Sequence, residues 1–302
     1  MKFLKLFFIT LLLTGLISCS SVKLTSLPDI SNEELITSYR ILKDEIYGTD
    51  KEQKLDIYIS NNSKKLKDKN FTIIFLHGGG YYLSDKTKEE KYIQPYLKKG
   101  LNVVNVNYRL KRGIPLATED LTNVINYLKT KNDAYKLNLD KIVLTGFSAG
   151  GHIASNVGVG ANNSDYPYPL NTGVKISAII NFSGPVDGLD VVEKVFVDNE
   201  MQLFKDVGNA LFPSINGYTP KDTLVKFEPI TFFDKNDPSF FLWHGGQDDQ
   251  IPPTTFTKFV GELNIDKNRN FVLFVPNGKH DPTAKELKEA YEQIFTFLDR
   301  IK

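Results

Sequence analysis

The sequence predicts an α/β fold: one domain built on a mostly parallel sheet of eight strands, with helices on both faces. Three observations carry that reading. From about Leu35 the chain alternates β-type runs with helical patterns, the order that parallel strands joined by crossover helices require. Several runs are apolar throughout, as strands buried on both faces must be. The composition, 41% hydrophobic and 24% charged over 302 residues, is that of a folded chain long enough to bury one large core. With 37 basic against 36 acidic side chains, it lacks the positive excess that binding to a nucleic-acid backbone demands, so no nucleic-acid partner is expected.

The elements follow in chain order. Residues 1–18 carry Lys2 and Lys5, then an apolar stretch from Leu6 to Ile17, the pattern of a targeting segment and too short for a comfortable membrane span. The single cysteine, Cys19, comes next, which excludes an internal disulfide and a thiolate metal cluster. Residues 19–34 are polar, contain Pro28, and read as a tether to a folded domain over 35–302. Ile41–Tyr47 and Lys54–Ser60 alternate as an opening hairpin does. Phe71–Leu76, Val103–Asn107, Ile142–Thr145, Ile176–Phe182, Phe240–Trp243 and Phe271–Val275 complete the strands. Helices are expected at Lys88–Lys98, Thr118–Lys131, Ala149–Val159, Thr254–Leu263 and Ala284–Ile301, where apolar residues recur at helical spacing, as in Leu121, Val124, Ile125 and Leu128. Residues 188–236 break the rhythm, with Phe196, Met201, Leu203, Phe204, Leu211 and Phe212 among turn residues. This stretch is expected to be a lid-like insertion over the strand ends.

The chemistry concentrates at the ends of strands. Gly146-Phe147-Ser148-Ala149-Gly150 follows an apolar strand and opens a helix, so Ser148 belongs on a sharp strand-to-helix turn whose flanking glycines make room for crowded backbone. His77-Gly78-Gly79-Gly80-Tyr81 ends an earlier strand. Amides of Gly78 and of Gly79 or Gly80, with that of Ala149 at a helix start, are candidates to stabilise a developing oxyanion. A phosphate-cradling loop is the competing reading, but the stretch lacks the P-loop lysine.

A serine hydroxyl needs a base, and imidazole suits that task near neutral pH. Four histidines are available. His77 belongs to the glycine loop, and His152 sits one turn beyond Ser148 on a helix leading away from the site, so both read as structural. His244 ends a strand. His280, in the loop between the last strand and the last helix, is the expected base. Asp248 and Asp249 compete to orient it. Asp248 is preferred, four residues after His244 with Ile251-Pro252 closing the turn behind it.

The order Ser, Asp, His, with HGGG before GFSAGG, resembles the α/β-hydrolase superfamily, and within it the BD-FAE-like and hormone-sensitive-lipase-like carboxylesterases. Asn107-Tyr108-Arg109-Leu110, Pro115, Asp120 and Phe182-Ser183-Gly184-Pro185 share that likeness, which spans about residues 40–302. The resemblance implies Ser148 as nucleophile, Asp248 as acid and His280 as base, an oxyanion hole of Gly78, Gly79 and Ala149, and no metal or cofactor. Arg109 and Asp120 would hold loops near the site. One departure is Phe147, where hormone-sensitive-lipase-like members carry an acid just before the nucleophile. The implied activity is carboxylic ester hydrolysis on short-chain or carbohydrate-linked esters. Peptidase- or arylformamidase-like hydrolysis and a non-catalytic binding lipoprotein are the alternatives. Leu16-Ile17-Ser18-Cys19 is similar to a bacterial lipobox, which implies lipidation at Cys19 and an extracytoplasmic enzyme held to a membrane of the cell envelope by a lipid anchor.

Overall fold

A computed structural model describes residues 30–160, 163–170 and 173–301. The targeting segment 1–18, Cys19 and most of the tether lie outside the described residues. The first helix, α1 (Asn32–Ser38), takes up the end of the stretch expected to be tether. Ser31 caps it, accepting from the Glu34 amide, and Glu33 and Glu34 sit in its first turn where the helix dipole favours acids.

The strands are β1 (Tyr39–Ile46), β2 (Lys54–Ser60), β3 (Thr72–Leu76), β4 (Asn102–Val106), β5 (Ile142–Phe147), β6 (Ile176–Phe182), β7 (Ser239–Gly245) and β8 (Phe271–Val275). They form one sheet in the order β1-β2-β4-β3-β5-β6-β7-β8. β2 pairs antiparallel with β1 and β4, and every other neighbour is parallel. β3 sends the chain outward to β4, after which β5 returns to its other flank. The carboxyl ends of β3 and β5 therefore border the crevice in which open α/β sheets bind their ligands.

The remaining helices are α2 (Gln94–Lys98), α3 (Gly113–Tyr135), α4 (Ala149–Gly160), α5 (Leu189–Val197), α6 (Gln202–Leu211), α7 (Pro220–Lys226), α8 (Thr257–Leu263) and α9 (Ala284–Arg300). Alternate residues of the central strands feed two cores. Ile74, Val104, Leu144, Ile179 and Leu242 pack on one face with α3 and α4, whereas Ile73, Val103, Val143, Ile180 and Phe241 pack on the other with α2 and α9.

Three helix expectations are corrected. Only a 3-10 turn at Glu90–Tyr92 and the short α2 occupy 88–98, with Pro95 at the start of α2. The helix expected from Thr118 begins at Gly113 and takes in Pro115, because a proline in the first turn has no amide to leave unpaired. Residues 254–256 form a 3-10 turn before α8. The 188–236 region contains α5, α6 and α7, stacked over the carboxyl edge of the sheet. Phe196 and Phe204 hold α5 to α6, their ring centroids 5.5 Å apart.

Candidate active site

The site is built on the turn that joins β5 to α4. Ser148 has φ +52°, a left-handed conformation that costs a side-chain-bearing residue about 1–3 kcal/mol and persists only when its surroundings enforce it. Here the Ser148 amide donates to the Phe182 carbonyl at 2.7 Å, and the Ser148 carbonyl accepts from the His152 amide at 3.0 Å. The flanking glycines are steric necessities: a Cβ on Gly146 would lie 2.3 Å from the Gly150 carbonyl carbon, and one on Gly150 would lie 2.1 Å from the Leu76 carbonyl oxygen.

His280 and Asp248 converge on this serine. The His280 Nε2 lies 2.9 Å from Ser148 Oγ, and its Nδ1 lies 2.7 Å from Asp248 Oδ2. An ionised carboxylate only accepts, so the proton belongs on Nδ1 and the Nε2 lone pair faces the hydroxyl. The other oxygen of Asp248 accepts from the Gln250 and Ile251 amides at 2.9 and 2.8 Å, which fixes the carboxylate in its turn. Asp248 is buried whereas its rival Asp249 is exposed. Ser183, itself at φ +55°, donates its hydroxyl to the His280 carbonyl at 2.7 Å and so anchors the histidine loop to the end of β6. Phe147, the departure from the hormone-sensitive-lipase-like pattern, packs its ring 5.2 Å from the imidazole.

The expected donors are redistributed. The Gly78 amide donates to Glu89 Oε2 at 3.0 Å and is not free for an oxyanion, which corrects its expected role. Nothing in the glycine run announces this, because the acceptor lies eleven residues on. Gly79 and Gly80 follow with φ +100° and +60°, and the Gly79 carbonyl accepts from the Tyr82 and Leu83 amides. Among the described residues the amides of Gly79, Gly80 and Ala149 have no acceptor. Gly80, Ser148 and Ala149 line one cavity, so free donors and hydroxyl share a space.

The other three histidines are buried and driven neutral by loss of water, each lowered to about 4. His77 stacks on Tyr108 with centroids 4.4 Å apart, its Nδ1 2.7 Å from the Gly78 carbonyl. His244 lies behind the acid, its Nε2 3.8 Å from Asp248 Oδ2. His152 does not lead away from the site: it lines the cavity, held by the Tyr81 hydroxyl and by the Phe227 carbonyl at 2.7 Å. Arg109 and Asp120, expected to hold loops near the site, pair with each other. Asp120 accepts from the Arg109 amide at 2.7 Å and from its Nε at 2.9 and 3.1 Å.

The cavity is small and apolar. Leu189, Val192, Phe196, Leu211 and Phe212, all from the 188–236 region, line it together with Tyr81, His152 and Ile251.

Comparison with known proteins gives the family. The BD-FAE family model matches residues 55–263, about two thirds of the chain. Endo-1,4-beta-xylanase B of Butyrivibrio fibrisolvens is 23% identical over 229 residues, 70% of this chain and 32% of that protein. Esterase LipC of Mycobacterium tuberculosis is 22% identical over 257 residues, 78% of this chain and 58% of that protein. A solved structure of a bifunctional GH43-CE from Bacteroides eggerthii superposes with a TM-score of 0.66 at 25% identity, over 85% of this chain and 38% of that one. The chain thus spans from 32% to 58% of the length of these relatives. With the family model covering most of the sheet and the strand-to-helix turn at its centre, the chain belongs to the BD-FAE family and has the α/β-hydrolase fold.

Proposed function

We propose that this chain is a serine carboxylic ester hydrolase acting on esters of short acyl groups, carbohydrate-linked ones included. The observation that carries the proposal is the continuous path from Ser148 Oγ through His280 to Asp248, with steps of 2.9 and 2.7 Å. Ser148 Oγ attacks the ester carbonyl carbon as His280 Nε2 takes the hydroxyl proton, and the carbonyl oxygen becomes an anion facing the Gly79, Gly80 and Ala149 amides. Collapse of this intermediate breaks the bond to the alcohol, which leaves with the proton from His280. Water, deprotonated by the same imidazole, then releases the acid from the acyl-serine. Asp248 keeps the imidazole in the required tautomer and stabilises the imidazolium formed in each half.

The cavity supports a short acyl group. Val192, Phe196, Leu211 and Phe212 line the space beside Ser148, and these apolar side chains favour a short acyl group over a long one. The carbohydrate link is supported by the likeness to a xylanase and to a GH43-CE structure. A panel of p-nitrophenyl esters graded by chain length, run beside acetylated xylan and a p-nitroanilide peptide, tests the reading. Highest kcat/KM on acetate, falling with each added methylene, is expected. Cleavage of the anilide with all esters inert overturns it.

The sequence around Cys19 supports lipidation there and extracytoplasmic attachment to a membrane. A Cys19→Ser chain should lose its membrane attachment, and one that stays with the membranes contradicts this.

A further inference from the structure

Behind the glycine loop, one four-residue segment touches both halves of the site. At its start, the Glu89 carboxylate accepts the Gly78 amide at 3.0 Å. At its end, the Lys91 Nζ binds both oxygens of Asp281 at 2.7 and 2.8 Å, and the Tyr92 hydroxyl donates to the same carboxylate at 3.1 Å. Asp281 directly follows His280. Tyr92 is in turn fixed by its neighbours: its ring stacks on Phe75 and Phe147, and its carbonyl accepts from the Tyr291 hydroxyl.

Removing a carboxyl from water is costly, and the Glu89 group shows it. Burial outweighs the Gly78 amide and the Lys91 charge and pushes it up to about 7. A turn needs no such group to satisfy one amide, since solvent or a neutral oxygen would serve. What the carboxylate does is fix the plane of the first peptide in the loop. Peptide units are rigid and only two dihedrals separate each from the next, so fixing this plane, with the Gly79 carbonyl held by Tyr82 and Leu83, sets where the next two amides point.

We propose that Glu89 is a positioning residue: its carboxylate anchors the Gly78 amide so that the Gly79 and Gly80 amides face the oxygen developing on the carbonyl attacked by Ser148, and Lys91 and Tyr92 tie that anchor to the His280 loop. The inference rests on the ester-hydrolase reading above. Glu89→Leu, which removes the acceptor, is expected to lower kcat on p-nitrophenyl acetate by about tenfold or more, with KM within about twofold and fluorophosphonate labelling of Ser148 slowed in proportion. Glu89→Gln, which keeps an oxygen, restores most of the loss. A folded Glu89→Leu enzyme with wild-type kcat overturns the inference alone. A wild-type chain that is neither hydrolytic nor labelled overturns the function and this inference with it. If the leucine variant does not fold, amide exchange in the wild type decides: protection at Gly78 is expected, and exchange at the rate of a free loop amide overturns the proposal.

Discussion

The rim of strand ends and the wall made by residues 188–236 enclose the same cavity but are held in different ways. At the rim, Ser148, Asp248 and His280 sit on turns whose backbones are bonded to the sheet or to one another, through Phe182, Ile251 and Ser183. In the wall, Val192, Phe196 and Leu211 on short helices, and Phe212 just after α6, face the cavity, held chiefly by apolar packing. Directional bonds fix atoms to tenths of an ångström, as proton transfer requires, whereas apolar packing fixes a volume. On the proposed function, reaction chemistry belongs to the rim and acyl size to the wall. Histidine marks the difference too: at the rim His280 bridges hydroxyl and carboxylate, while His152, on α4 beside the same cavity, is held neutral between Tyr81 and Phe227.

The largest expected effect lies at the rim. Asp248→Asn should reduce kcat by about 10⁴-fold while leaving the fold intact, because an amide can hold the imidazole in the wrong tautomer. Asp249→Asn should stay near wild type, and steady-state hydrolysis of p-nitrophenyl acetate ranks the two. A greater loss from Asp249→Asn would break the assignment of the acid.

The wall should answer in specificity. Val192→Ala removes two buried methyl groups from the cavity lining and should raise the preference for butyrate over acetate by about tenfold, since a methylene in such a pocket is worth about 1–3 kcal/mol. Acetate turnover should change by less than about twofold. An unchanged chain-length profile would show that the wall does not set acyl size.

A different readout concerns acid stability. His152 is lowered from 6.5 to about 4 in the folded protein, so between those values the unfolded chain binds a proton that the folded one refuses. The stability this residue supplies is complete above 6.5 and is lost as pH falls towards 4. By about pH 5 the loss amounts to at most about 2 kcal/mol. His152→Asn should be less stable at neutral pH, yet lose less between about pH 7 and pH 5 than the wild type in urea unfolding. Equal losses in both proteins would contradict the neutral, buried assignment.

The rim was legible in the sequence because its geometry is local. A strand, a glycine-flanked serine and a helix specify the Ser148 turn within a few residues, and His280 and Asp248 each follow a strand that the parallel order carries to the same edge. Choosing among the loop amides was not legible, since the Gly78 amide is claimed by Glu89 across a turn with no periodic signal. The wall was legible only as an interruption. Its helices α5, α6 and α7 are 9, 10 and 7 residues long, too short for propensity to define them without the packing that stabilises them. His152 was misplaced for a related reason: helical spacing gives the face of α4 it occupies, but not that Tyr81 and Phe227 turn this face towards the cavity.

Mass spectrometry of the chain after reaction with a fluorophosphonate tests the central claim most directly. One phosphonyl group per chain, carried on the peptide containing Ser148, absent from Ser148→Ala and accompanied by loss of ester hydrolysis, is the predicted result. Ester hydrolysis that persists in Ser148→Ala, or an adduct on another residue, would contradict it.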